Sequence, residues 1–317
     1  MDPARRATLW LLAMCAIWGS SFFSMKLGQE GLARATGPAG AASALILLRF
    51  LAAAILFVPF FPAAVRGLTR GTLAWGLALS VPFYAGFLLQ VMGLGETSST
   101  VSAFLTNLTV VLTPLLGRLV FRESLTWANL AGAAVALAGV FVLTNPGGGG
   151  FGRGELLTIG CAAAFAVQIQ LTNVATRRAS PEGVTFVMFV AAAAYSAATL
   201  AALGVPASAL VRGLGERHVA WTVLYNAVVC SVVAITIMNR FQREIPPTRA
   251  AVLYTLEPVF AAAFAAAAGE PVGARQAAGG AVIVGGNLLC EALKPRASGE
   301  EAPAPAVVVA QDPERRA

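Results

Sequence analysis

Charge is what this 317-residue sequence has least of: Asp, Glu, Lys and Arg together make up 12% of it, while hydrophobic residues make up 57%. A soluble domain carries about 25% charge. So little charge cannot cover a water-facing surface, and the chain reads as a polytopic membrane protein. Histidine is nearly absent. The single one, His218, stands beside Arg217 in a loop, which excludes a His-based metal cluster or catalytic triad. Four cysteines (Cys15, Cys161, Cys230 and Cys290) each fall in a different apolar run, at spacings that fit neither a zinc site nor a disulfide framework. They read as buried small residues. No Gly-Lys-Ser/Thr follows Gly147–Gly150, so those glycines are a linker, and direct drive by ATP is excluded. No cofactor motif is present, and no pair of carboxylates is spaced on one helix for hydrolysis. The net charge of +7 comes from basic residues in ones and twos, never a dense block, so it does not describe a nucleic-acid surface. Asn107-Leu108-Thr109 fits a glycosylation sequon but lies at membrane depth, beyond reach of that machinery.

What the chain has in abundance is apolar runs. They fall at 8–25, 39–61, 73–93, 101–121, 127–144, 156–174, 184–204, 219–238, 250–268 and 276–292. This predicts an all-α membrane protein of ten transmembrane helices. Arg5 and Arg6 precede the first run, but no small-x-small cleavage site follows, so that run is an uncleaved helix rather than a signal peptide. Counting Lys and Arg on alternate sides of the spans, Arg118 and Arg296 included, thirteen fall on one side and six on the other. The positive-inside rule then puts both termini in the cytoplasm. At an offset of 147 residues the chain matches itself without a gap: Arg6 meets Arg153, Pro59 meets Pro206, Ala103 meets Ala250, Glu123 meets Glu270, and Trp18 meets the aromatic Phe165. The expected organisation is a first five-helix repeat at 1–144, a linker at 145–154, a second five-helix repeat at 155–294, and a disordered cytoplasmic tail at 295–317. An odd number of helices per half inserts the second copy upside down. Inverted repeats of this kind are a common build for secondary transporters, with the site at the repeat interface near the midplane.

The ninth run contains the chain's most unusual pair, Glu257-Pro258. A carboxylate in mid-span costs about 3 kcal/mol on insertion scales and is rarely idle. The proline removes a backbone donor and sets free the carbonyl of Tyr254, which predicts a kink. Glu257 is therefore the first candidate for a proton-titrating or substrate-facing group, with a structural carboxylate as its alternative. Arg49, mid-way along the second run, needs a partner at that depth, and Glu257 supplies the opposite sign; its alternative role is to bind an anionic substrate group. Glu123 and Glu270 close the fourth and ninth runs and are expected to cap the following helix or pair with a nearby Arg. Trp18, Tyr84, Gln90, Asn107, Gln168, Gln170, Asn226, Asn239 and Tyr254 are buried amides and aromatics of which most are expected to point inward and some to bond across helices; Trp18, Tyr84, Gln90, Asn107, Gln168, Asn226 and Tyr254 are the candidates for the substrate pathway. Gln168 and Gln170, two residues apart, cannot share one face. Gly132 with Gly139, and Gly279 with Gly286, are seven apart on one face each, and allow close packing within the monomer or in a homodimer.

Trp18-Gly-Ser-Ser-Phe22, Leu48-Arg-Phe50, the segment 105–132 (LTNLTVVLTPLLGRLVFRESLTWANLAG) and the segment 253–280 (LYTLEPVFAAAFAAAAGEPVGARQAAGG) together resemble the EamA-type transporters of the drug/metabolite transporter superfamily. The resemblance runs through nearly the whole chain except the tail. It implies ten helices in two inverted repeats, a central cavity lined mainly by the first four helices of each half, and export or exchange of small metabolites across the bilayer; protons, through Glu257, are the coupling partner that the residues themselves suggest. One departure stands out: the second repeat carries Phe165 where the family often has a Trp-Ala pair, so an indole donor is missing there. Two rival readings remain at this stage, a non-transporting receptor or scaffold and an intramembrane enzyme.

Overall fold

The computed structural model describes residues 3–121, 126–144, 152–176, 178–241, 244 and 253–293. Glu123, linker residues 145–151, the first three residues of the 250–268 run and the tail at 295–317 lie outside them. Among the described residues the regular elements are all helical: α1 (Pro3–Phe60), α2 (Pro62–Arg66), α3 (Arg70–Leu94), α4 (Ser99–Thr106), α5 (Thr109–Phe121), α6 (Trp127–Thr144), α7 (Arg153–Ala175), α8 (Pro181–Ala202), α9 (Ala207–Leu214), α10 (Arg217–Tyr225), a π-helical segment (Asn226–Val233), α11 (Ala234–Phe241), α12 (Glu257–Ala267) and α13 (Ala274–Ala292).

Among the described residues, six stretches are long and apolar enough to cross a membrane: Arg5–Phe60, Arg70–Leu94, Ser99–Arg118, Arg153–Thr172, Pro181–Ala202 and Arg217–Met238. Leu130–Val142 and Glu257–Ala267 are shorter apolar helices. The first of these stretches joins two of the ten runs of the sequence. A 56-residue helix would be about 84 Å long, far more than the ~30 Å hydrocarbon core. The chain divides it at Gly37, which adopts φ 76° and ψ 161°. That conformation is essentially reserved for glycine, and Pro38 also opposes a helical residue before it. Residues 3–36 and 38–60 are thus two arms.

The outer surface is apolar, with Leu9, Trp10, Ile55, Leu77, Leu137, Phe141 and Trp221 all exposed. The interior holds many small or polar side chains, including Ala41, Ala44, Ser80, Ser99, Thr100 and Asn226. This arrangement suits lipid as the solvent, where helices associate through close backbone approach and interhelical hydrogen bonds. The two arms of α1 run through the centre of the bundle, touching α3, α8, α9, α10, α11 and α12, while α3 also packs on α7 and α8.

α6 and α13 form the tightest pair. A Cβ placed on Gly139 would lie 2.7 Å from Ile283 and 2.9 Å from the carbonyl of Gly279; one on Gly286 would lie 2.7 Å from the amide of Ala136 and 3.0 Å from the carbonyl of Gly132. All four glycines of the sequence stripe therefore meet in one seam, and that stripe is filled within a single chain. Gly139→Val and Gly286→Val are expected to destabilise the protein by about 1–3 kcal/mol through overpacking. Gly285→Ala, whose Cβ would meet nothing within 4 Å, is the matched control and should leave the melting temperature in detergent unchanged or slightly raised.

Candidate functional site

The ninth run is not a single kinked helix. Leu253 and Tyr254 are helical, Thr255 and Leu256 form a turn, and α12 starts anew at Glu257. Pro258 sits in the first turn of α12, where its missing N–H would be unpaired in any case. The proline thus sets a helix start rather than a bend. The carbonyl it leaves free, that of Tyr254, accepts the Nδ2 of Asn107 at 3.3 Å. Asn107 lies in the turn between α4 and α5, so a second helix is interrupted at the same crossing. The two residues are 147 positions apart, the offset at which the sequence matches itself. The Nδ2 of Asn287 on α13 donates to the Oδ1 of Asn107, and the thiol of Cys15 reaches the carbonyl of Leu253. Backbone groups exposed by the break in the ninth run are thereby satisfied by side chains from other helices.

Glu257 is half-buried and makes no hydrogen bond or ion pair with any described residue. It lies within electrostatic range of Cys15, Cys161 and Tyr254. Its backbone is pressed against the first arm of α1: a Cβ on Gly19 would stand 2.9 Å from the carbonyl of Glu257 and 2.7 Å from the Cβ of Phe260. Only glycine fits there. The Trp18–Phe22 motif is therefore the surface on which the Glu257 helix begins.

Arg49 is not the partner of Glu257, as its sign and depth had suggested. Its Nε donates to Ser231 Oγ at 2.9 Å, its Nη1 points at Met25 Sδ at 3.0 Å, and the guanidinium lies 4.7 Å from the ring centre of Phe87 and 5.1 Å from that of Phe50. The reason is rotational position: Arg49 faces the π-helical segment, while Glu257 begins α12 against Gly19. That segment gathers a polar layer around α1. Trp18 Nε1 donates to the carbonyl of Cys230 at 3.0 Å, Ser20 and Tyr225 share a hydroxyl contact of 2.5 Å, and Asn226 Nδ2 donates to Ser24 Oγ at 2.9 Å. Asn226 Oδ1, fully buried, has no partner. π-helical turns concentrate at functional sites.

The remaining expected residues are scattered around these two centres. Tyr84 is engaged by Thr199 at 2.8 Å between α3 and α8. Gln90 is buried and Gln168 half-buried; neither side chain makes a hydrogen bond among the described residues. Gln170 donates to the carbonyl of Thr113 at 3.1 Å. Glu270 does not cap the helix that follows it. Its carboxylate accepts the backbone N–H of Ser99 at 2.7 Å, at the start of α4, and lies 3.9 Å from Lys26 Nζ. Lys26 in turn donates to the carbonyl of Thr97 at 3.1 Å. The hydroxyls of Ser99, Thr100 and Ser102 in the same helix are buried and unpartnered.

Sequence reasoning passed over Ser20, Ser24, Tyr225, Cys230, Ser231 and the pairing of Lys26 with Glu270. One signal was available: Ser20 and Ser24, four apart, put two hydroxyls on one face of the first helix. Chemically, the cluster offers hydrogen-bond donors and acceptors, one unpaired carboxylate and one guanidinium without a carboxylate. Among the described residues no three His, Cys, Asp or Glu side chains gather where they could hold a metal ion.

Known proteins bear on this arrangement. An uncharacterized transporter from Archaeoglobus fulgidus is 25% identical over 265 residues, covering 82% of this chain and 77% of its own. A protein of known crystal structure, 23% identical, matches 90% of this chain and 98% of its own with a TM-score of 0.57, which speaks for the fold. The family model of the EamA-like transporters matches twice, over residues 5–145 and again over residues 152–290. The chain belongs to the EamA-like transporter family.

Proposed function

We propose that this membrane transporter is a secondary active exporter of small metabolites across the cytoplasmic membrane, working by alternating access and coupled to protons through Glu257. Two inverted halves of five helices, 1–144 and 155–294, joined by the external linker 145–154, rock about a midplane site, with both termini and the 295–317 tail in the cytoplasm. The observation that carries this reading is the carboxylate of Glu257, which stands at a helix break with no hydrogen-bond or ion-pair partner among the described residues. A purely architectural carboxylate would be expected to hold a partner, since an unpaired one is costly at that depth. The crossing of Asn107 with the Tyr254 carbonyl supports a pseudo-symmetric pivot beside it. In this reading Trp18, Tyr84, Gln90, Gln168, Asn226 and Tyr254 are the proposed lining of the solute pathway, and Arg49 is its second charged group. Broken helices facing a midplane site recur in secondary transporters.

Two outcomes test the proposal. In liposomes at matched protein amount, screened against a metabolite pool with and without an imposed pH gradient, the wild-type protein moves solute without altering it. Glu257→Gln keeps expression but loses gradient-driven movement, with some solute exchange retained. Glu270→Gln, which keeps an acceptor for the Ser99 amide, loses much less. Undiminished gradient-driven movement by Glu257→Gln would remove that residue from coupling. For topology, a reporter active only in the cytoplasm is active when fused after the tail and silent when inserted in the 145–154 linker. Activity in the linker would overturn the inverted arrangement.

A further inference from the structure

Building on the transporter reading, we infer that Arg49 is the anion-binding residue of the solute site, and that the solute is a monocarboxylate with a flat apolar body. Arg49 is 3% exposed, yet no Asp or Glu among the described residues pairs with it. Its neighbours are a hydroxyl, a thioether and two aromatic faces. The thioether is a weak acceptor, and cation–π contacts recover only part of the cost of burying the charge. Nη2 donates to no described residue. A guanidinium so placed is short of one negative charge and of acceptors for its fork. A carboxylate supplies both, because its two oxygens match two parallel N–H groups.

The surroundings restrict the ligand further. Ser231, Met25, Trp18 and Asn226 are neutral, so one negative charge balances Arg49 whereas a dianion would leave an excess charge in a low-dielectric layer. Phe87, half-buried, extends the guanidinium contact into an aromatic wall, with the Phe165 ring edge-on at 5.2 Å. The Phe165 ring presses so closely on Gly86 that a Cβ there would stand 2.5 Å from it. An apolar, planar body lying along Phe87 and Phe165 places its carboxylate at Arg49. Arg49 reaches from the second arm of α1 to Ser231, 182 residues away, so a bound anion also draws together segments from the two halves of the chain.

The test uses the full-length protein in detergent and then in liposomes, with benzoate, phenylacetate and cinnamate as probes and their uncharged amides as controls. At least one carboxylate is expected to bind by calorimetry, about tenfold or more tighter than its amide. Arg49→Lys should weaken that binding about tenfold, since it keeps the charge and loses the fork. Arg49→Met should abolish it while the ligand-free melting temperature stays the same or rises. If Arg49→Met fails to reach the membrane, Ser231→Ala decides: it leaves the charge but removes the hydroxyl that holds Nε and orients the fork, and should weaken the carboxylate severalfold without affecting the amide. Binding of none of the three carboxylates, equal binding of acid and amide, or wild-type binding by Arg49→Met or Ser231→Ala would overturn the assignment. Transport of neutral or cationic solutes that is untouched by Arg49→Met would refute the anion site while leaving the transporter reading intact. No movement of any solute in the metabolite pool would remove both.

Discussion

A helix interrupted inside hydrocarbon leaves backbone carbonyls and amides that no water can reach, and each must find a protein partner. This constraint shapes the centre of the molecule. Pro258 cannot donate to the carbonyl of Tyr254, and Asn107 Nδ2 takes it instead. Asn107 can do so because the fourth helix is itself interrupted there, its turn held by Thr109 Oγ1 donating to the carbonyls of Thr106 and Ala162 at 2.7 and 3.2 Å. Two breaks at matching positions of the two repeats thus complete one another. Glu257 follows directly from this junction, since the first residue of a restarted helix is a position where a negative side chain is favoured.

The first arm of α1 ties this junction to the rest of the bundle. Gly19 seats α12, Trp18 and Ser24 hold the π-helical segment, and two charges along the arm pair with other elements: Arg6 with Glu244 at 3.3 Å, Lys26 with Glu270 at 3.9 Å. Twenty residues separate Arg6 from Lys26, about 30 Å of helix and so about one hydrocarbon thickness. Partly exposed pairs of this kind are worth at most about 1 kcal/mol each.

Much of the fold was legible because the bilayer makes the sequence state it. Apolar runs, the scarcity of charge and the fixed repeat offset required no knowledge of contacts, and the Glu-Pro pair announced both a costly charge and a free carbonyl. Partnerships were less legible. Arg49 and Glu257 share sign complementarity and depth, but run position fixes only depth; rotation about each helix axis decides what a side chain faces. Glu270 went to the start of α4 rather than to the following helix for the same reason. The π-helical turn at Asn226–Val233, which presents Cys230 and Ser231 to α1, leaves no mark in a hydrophobic pattern that is apolar on most faces.

The proposed alternating access makes its sharpest demand at residue 257, which under that proposal faces water from one side of the membrane and then from the other. With Cys15, Cys161, Cys230 and Cys290 replaced by alanine, a single cysteine at position 257 can be probed with a membrane-impermeant thiol reagent in right-side-out and in inverted vesicles. Reaction in both preparations, faster from one side and shifted between sides by an imposed pH gradient in a protein that keeps its carboxylate and carries the cysteine at Tyr254 instead, is the predicted result. Reaction from one side only, whatever the gradient, would contradict alternating access around Glu257.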